Sequence, residues 1–228
     1  KSRAGEPNVL SMINTGDFFW YPPVGEVFKC SVVKAVAVKS DGKKSKIVTQ
    51  SFFVDPNMKS RYDLPVISLV TDQENLFDKT KGIYVNSNGT GKEWERPVHV
   101  EFFEKDGTLG FSKYCNMRLH GGGSKGYPQK SLRLYADNEY DGKNKISYEI
   151  FPGLKDKVTG ESIDSFKRLI LRNSGSDWMG SMFRDGLTQS LVSHMKLDTQ
   201  AYRPSVVFID GEYWGIHNIR ERYDNIYF

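Results

Sequence analysis

RLHGGGSKGYPQKSLR, residues 118–133, reads as strand, loop and strand. Three consecutive glycines, Gly121, Gly122 and Gly123, are followed by Ser124, Lys125 and Gly126. Pro128 then stiffens the exit and Lys130 opens the return strand. Glycine lets backbone N–H groups turn inward and approach an anion closely. A lysine at the start of the return strand reaches towards a phosphate held under such a loop. The spacing GxxxxGK[ST] is absent and a strand follows the loop, so this is not a Walker A motif. Taken alone, a glycine-rich hairpin is more often only a turn. Both readings stay open at this point.

Outward from the loop, the second half of 28–39 and PVHVEFFE (97–104) alternate apolar and polar residues, the period of a half-buried strand. Strands are predicted in FKCSVVKAVAVK (28–39) and SKIVTQSFFV (45–54), with a tight turn at Ser40-Asp41-Gly42. A linker, 55–60, leads to LPVISLVT (64–71) and a short helix through Phe77, for which Asp72 is the expected N-cap. Further strands are predicted at 97–104, 114–119, 130–135 and 167–171, and a closing hairpin at 204–219 turns at Asp210-Gly211. One long helix is predicted, Ser181 to Met195, on the spacing of Phe183, Leu187, Leu191, Val192 and Met195. The expected fold class is α+β, mostly antiparallel strands with one main helix packed on them.

Composition excludes several classes. The 228 residues are 38% hydrophobic and 26% charged, as in a globular chain and unlike a disordered one. The net charge of +4 is dispersed, with no basic block interleaved with aromatics, so nucleic acid is not an expected partner. No apolar run reaches the roughly 18 to 20 residues of a membrane span. The chain opens at Lys1, and removal of an N-terminal leader is expected. Cys30 and Cys115 do not form a CxxC pair and are expected as free thiols, a single long-range disulfide being the alternative.

The remaining signals are weaker. His99, His120, His194 and His217 lack metal-ligand spacing, and no metal-ligand set is predicted. RNSGSDW, 172–178, follows an apolar strand; Arg172 or Asn173 faces a phosphate, or its Ser and Asp cap the next helix. Asn88-Gly89-Thr90 fits a glycosylation sequon but reads as an ordinary loop. The four tryptophans are expected in the core and not as a sugar platform.

Four ordered blocks carry a family resemblance: LPVISLVTDQENLFD with GIYV, RLHGGGSKGYPQKSLRLYA, FKRLILRNSGSDW with FRDGLTQSLV, and AYRPSVVFIDGEYWGIHNIRERYD. Together, from 64 to 228, they resemble the spore coat protein H (CotH) kinase family. The resemblance implies a kinase-like N-lobe-type antiparallel sheet and a secreted enzyme that moves phosphate from ATP, with Mg2+, to serine on extracellular or spore coat proteins. It makes Lys130 the phosphate-contacting lysine, with Gly121 to Gly126 as the phosphate loop. Ordinary kinases pair such a lysine with a helix glutamate. The predicted helix has no Glu, so Asp185 is the candidate partner or, on the plainer reading, only a first-turn acid. Arg220 and Glu221 would lie towards the adenine side, or form a solvated surface pair. The catalytic aspartate and metal ligands are expected beyond Phe228, which makes this chain the ATP-binding portion of a longer protein. Residues 1–54 resemble a partial β-sandwich of the type that follows chitobiase and hexosaminidase catalytic domains, a module that can meet cell-wall glycan. The alternatives are a non-catalytic surface module that binds glycan or protein, and a nucleotide-binding pseudokinase.

Overall fold

The computed structural model describes residues 1–16, 19–136 and 138–223. Its strands are β1 (Ser31–Ala35), β2 (Val48–Phe52), β3 (Val66–Val70), β4 (Arg96–Phe103), β5 (Leu109–His120), β6 (Ser131–Ala136), β7 (Ile146–Ser147), β8 (Ser165–Phe166), β9 (Arg168–Arg172), β10 (Tyr202–Ile209) and β11 (Glu212–Glu221). Four short helices are α1 (Met58–Arg61), α2 (Gln73–Phe77), α3 (Asn138–Asp141) and α4 (Arg184–Leu191).

Seven strands close into a barrel in the order β10-β11-β9-β6-β5-β4-β3. Neighbours pair antiparallel except β10 with β3, which pair parallel and seal the ring. Alternation explains which residues fill it. Along β5, Cys115, Met117 and Leu119 are buried, while Asn116, Arg118 and His120 on the opposite face are half-buried. On β6, Leu132 and Leu134 are buried, and Arg133 and Tyr135 face outward. Both cysteines are free and buried.

The turns follow from their residues. Asp210 and Gly211 both take positive φ, 46° and 87°, as a tight hairpin between right-twisted strands requires. Asp72 stands at the N-terminus of α2, but its carboxylate pairs with Lys34 at 3.2 Å and makes no capping bond.

The helix predicted over Ser181–Met195 is shorter, Arg184–Leu191. Met182 takes a left-handed φ of 61°, and residues beyond Leu191 close in tight turns such as Met195 N–H to Val192 O. Its cap is Asp177, whose carboxylate accepts from the backbone N–H groups of Ser181 and Arg184 at 3.2 and 3.0 Å. The apolar residues that predicted the helix, Phe183, Leu187, Leu191 and Met195, are exposed. Their spacing records a helix, but its apolar stripe does not enter the core.

β1 and β2 form an antiparallel hairpin laid on the barrel. Ser51 N–H donates to Glu101 Oε2 and Ser51 Oγ meets Ser68 Oγ, both at 2.8 Å. The leading segment is also held: buried Glu212 accepts from the N–H groups of Val9 and Ser11 at 2.7 and 2.9 Å.

Candidate functional site

The glycine-rich loop joins β5 to β6 at one end of the barrel. Gly121 takes φ 105°, where a Cβ is strained, and a side chain there would also meet Ser124 Oγ at 2.6 Å. Above Gly122 and Gly123 a Cβ would meet nothing within 4 Å. The loop therefore offers open backbone on its outer side. Residues 123–126 form a single 3-10 turn.

Lys130 is placed differently from a projecting phosphate ligand. It is 2% exposed and lies under the loop. Its ammonium donates to the carbonyls of Lys125 and Tyr127 and sits 5.9 Å from the Tyr84 ring centroid. Burying a lysine requires that its protons find acceptors, and the loop's own carbonyls supply them. Asn173 braces the same loop from the far side. Fully buried, it donates to Gln129 O at 2.6 Å and Ser124 O at 3.3 Å, while its Oδ1 accepts from Ser131 Oγ at 2.8 Å. His217, also fully buried, contacts Lys130 O through Nε2 at 3.1 Å, and burial pushes its pKa down to about 4.

Asp185 does not pair with Lys130. Its Oδ2 accepts from Arg220 Nη1 at 2.5 Å, and Arg172 Nε lies 3.6 Å away. The reason is register. Asn218 faces Arg172 and Arg220 faces Ile170 across β11 and β9, so both arginines rise on the face over which the first turn of α4 passes. Lys130 sits under the glycine loop instead. Arg220 is 1% exposed, so the solvated surface pair with Glu221 is also corrected. Burial lowers the Arg220 pKa and the Asp185 charge opposes that shift. Glu221, buried too, accepts from Ala201 N–H at 2.8 Å; burial raises its pKa.

The outward face beside the loop gathers the two arginines that bracket the loop with others from distant strands. Registers align Arg118 with Arg133 and then with Ile170 and Arg220 across four strands; the next row aligns Asn116, Tyr135 and Arg168. Arg133 Nε donates to His120 Nδ1 at 2.7 Å. The His120 pKa is pushed down to about 4, by burial first and then by the charges of Arg133, Arg172, Arg222 and Lys125. The Lys125 pKa falls through burial and the charges of Arg133 and Arg118. Tyr135 has the guanidiniums of Arg118, Arg168 and Arg222 at 5.5, 5.7 and 5.6 Å from its ring centroid. Arg222 also donates to its hydroxyl at 3.2 Å.

Guanidiniums present planar forks of donors suited to phosphate oxygens. Crowding several beside open glycine backbone builds a place where a multiply charged anion is favoured. Of the residues singled out from sequence, Gly121 to Gly126 belong to this place. Lys130 supports it from beneath, and Asp185 and Arg220 brace one flank. Arg118 and Arg133 end the stretch 118–133 that declares the loop, whereas Arg168 and Arg222 escape a linear reading, because they come from β9 and from the residue after β11. Among the described residues no group of three or more His, Cys, Asp or Glu side chains is placed to hold a metal ion. No helix among them is long and apolar enough to cross a membrane.

Residues 117–228 match the family model described as CotH kinase protein, just under half of the chain. The matching stretch contains the glycine loop, the arginine face, α4 and the closing hairpin. No curated protein matches the chain.

Proposed function

We propose that residues 117–228 form the ATP-holding part of a CotH-type protein kinase that phosphorylates serine on extracellular or spore coat proteins. The observation that carries the reading is the arginine face beside the glycine loop. The donor set fits a nucleotide polyphosphate: Arg118, Arg133 and Arg172 supply forked donors, and Lys125 adds a mobile charge. The open backbone over Gly122 and Gly123 leaves room for close approach.

A second observation agrees. β9 leads into α4, and then into β10 and β11, with a strand arginine, Arg172, beside a helix acid, Asp185, at 3.6 Å. Kinases use such a strand–helix ion pair to fix a phosphate-contacting cation. In this chain we assign that position to Arg172, and Lys130 shapes the loop. Bound ATP would supply the phosphoryl group and Mg2+ would offset its charge. The described residues bind and orient, and the groups that would hold the metal and take the acceptor proton are not assigned among them. The kinase-like N-lobe, an N-terminal β module at 1–54 packed on the barrel and the secreted location belong to the same proposal.

Calorimetry with Mg-ATP tests it. The chain is expected to bind, and Arg133→Gln with Arg172→Gln is expected to weaken binding at least about tenfold, about 1.4 kcal/mol. Equal affinity in the variant, or no binding by the chain, overturns the assignment.

A further inference from the structure

A cavity of about 820 Å³ opens between the C-terminal half of α4, the approach to β10 and the turn that leads into β8. It lies at the other end of β9 from the glycine loop, since Arg168 begins that strand and Arg172 ends it. Its volume is at the upper end of the range of about 300–1,000 Å³ typical of ligand sites. Six cations line it: Lys145, Lys155, Lys157, Lys167, Arg168 and Arg222.

Three acids are present, Asp156, Asp198 and Glu221, and two of them are already engaged. Asp156 accepts from the backbone N–H groups of Val158 and Thr159 at 2.8 and 2.7 Å, which lowers its pKa. Glu221 accepts from Ala201 N–H at 2.8 Å. The cavity is therefore cationic overall. Gln189, Ser190 and Ser193 of α4 and its extension line one wall, with their donors turned to Asp185 Oδ1, Gly186 O and Ser190 O.

The cations differ from those on the outward face. Four are lysines, compact charges on flexible stems that adapt to successive anionic groups, where an arginine fork fixes one planar partner. Lys145, Lys155, Lys157 and Lys167 are exposed at the cavity rim, and the Lys157 ammonium donates to Leu197 O at 2.5 Å, a bond a ligand would replace. Arg168 and Arg222 line the cavity and also flank Tyr135, so the cavity and the arginine face share a border.

We propose that this lysine-lined cavity docks an acidic segment of the polypeptide that receives the phosphate, its carboxylates or phosphoserines meeting Lys145, Lys155, Lys157 and Lys167. The inference rests on the kinase reading above and adds the substrate class: an acceptor whose serine is flanked by anionic residues. The shared border places such an acceptor beside the phosphate-holding face.

Fluorescence anisotropy on the whole chain tests it, with a labelled glutamate-rich peptide, a phosphoserine peptide and a lysine-rich control. The two anionic peptides are expected to bind and to weaken as salt rises; their relative affinities tell carboxylate from phosphate recognition. Lys145→Gln, Lys155→Gln and Lys157→Gln combined are expected to weaken them at least about tenfold, with Mg-ATP affinity unchanged. Should the triple variant not fold, Lys155→Glu and Lys157→Glu are read singly, both sites being exposed. Absent peptide binding, binding indifferent to these substitutions, or displacement of the peptide by Mg-ATP overturns the dock. A chain that binds anionic peptide and no nucleotide keeps the dock and overturns the ATP assignment instead.

Discussion

Asp185 Oδ2 accepts a hydrogen bond from Arg220 Nη1 at 2.5 Å, and Arg220 is 1% exposed while the Asp185 side chain is 40% exposed. The pair therefore joins a buried cation to a half-open acid. Removing the acid leaves the cation in place without its main counter-charge. Asp185→Asn is expected to cost about 1–3 kcal/mol, read as a lower urea midpoint. Arg220→Met added to it is expected to recover part of that loss, since a buried charge that lacks a partner is worse than a packed apolar chain. A double variant less stable than Asp185→Asn alone refutes the pairing.

Asn173 is the most heavily bonded side chain at the loop. Asn173→Ala strands the carbonyl of Gln129, the hydroxyl of Ser131 and the N–H of Gly175 in a buried place. A loss of about 2–4 kcal/mol is expected, by summing lost bonds. Hydrogen exchange should show the amides of residues 123–131 opening faster. Unchanged exchange there removes Asn173 as the brace.

The glycines separate structure from binding. Gly121→Ala meets Ser124 Oγ and a φ of 105°, so stability should fall by about 1–2 kcal/mol. Gly123→Ala has open space and no positive φ, so its stability should change by less than about 1 kcal/mol. If nucleotide lies over the loop, Gly123→Ala still weakens Mg-ATP binding. A Gly123→Ala chain with full affinity moves the ligand elsewhere.

Acid should unfold the protein early. His99, His120 and His217 have folded-state pKa values near 4, all depressed mainly by burial, against an ordinary value of 6.5. Between those values the unfolded chain binds more protons, so stability falls as pH drops from 6.5 towards 4. Asp210 opposes this. Burial raises its pKa to about 6 from 3.8, so over that span the folded form binds the extra proton. Glu101 and Glu221, raised by burial, oppose the loss as well, while the lowered Asp141, Asp156 and Asp177 act with the three histidines, and the net slope is a loss on acidification. His217→Gln should flatten the slope measured by urea unfolding from pH 7 to 4.5. A slope that is flat in the parent chain contradicts the burial of these imidazoles.

Much of the sheet was legible from alternation and turn residues. LPVISLVT, PVHVEFFE, KSLRLY and the closing hairpin all become barrel strands; LPVISLVT is an apolar run buried on both faces, while in KSLRLY alternation marks the buried face. Barrel closure was not legible. The parallel pairing of Val206–Ile209 with Val66–Leu69 joins segments far apart in the chain, and nothing local encodes it. The helix was legible as a helix but not in its extent or surroundings, since Leu187 and Leu191 look the same in sequence whether covered or exposed. The site was half legible. Glycines declare a loop by their adjacency, whereas Arg168, Arg172 and Arg222 meet Arg118 and Arg133 only through strand register. Asp185 was a sound candidate acid whose partner depended on that same register.

The parallel seam between β3 and β10 has a consequence for synthesis. β3 emerges early and can pair with β4 at once, yet its other edge has no barrel partner until β10 is made. During that interval a row of backbone donors and acceptors on an apolar strand stands open to other chains. Once β10 docks, all seven strands have neighbours on both sides, so the mature ring offers no edge for strand addition. Partners of the finished barrel must then engage its loops, its arginine face or its lysine-lined cavity, and the hazard of mispairing is confined to the nascent chain.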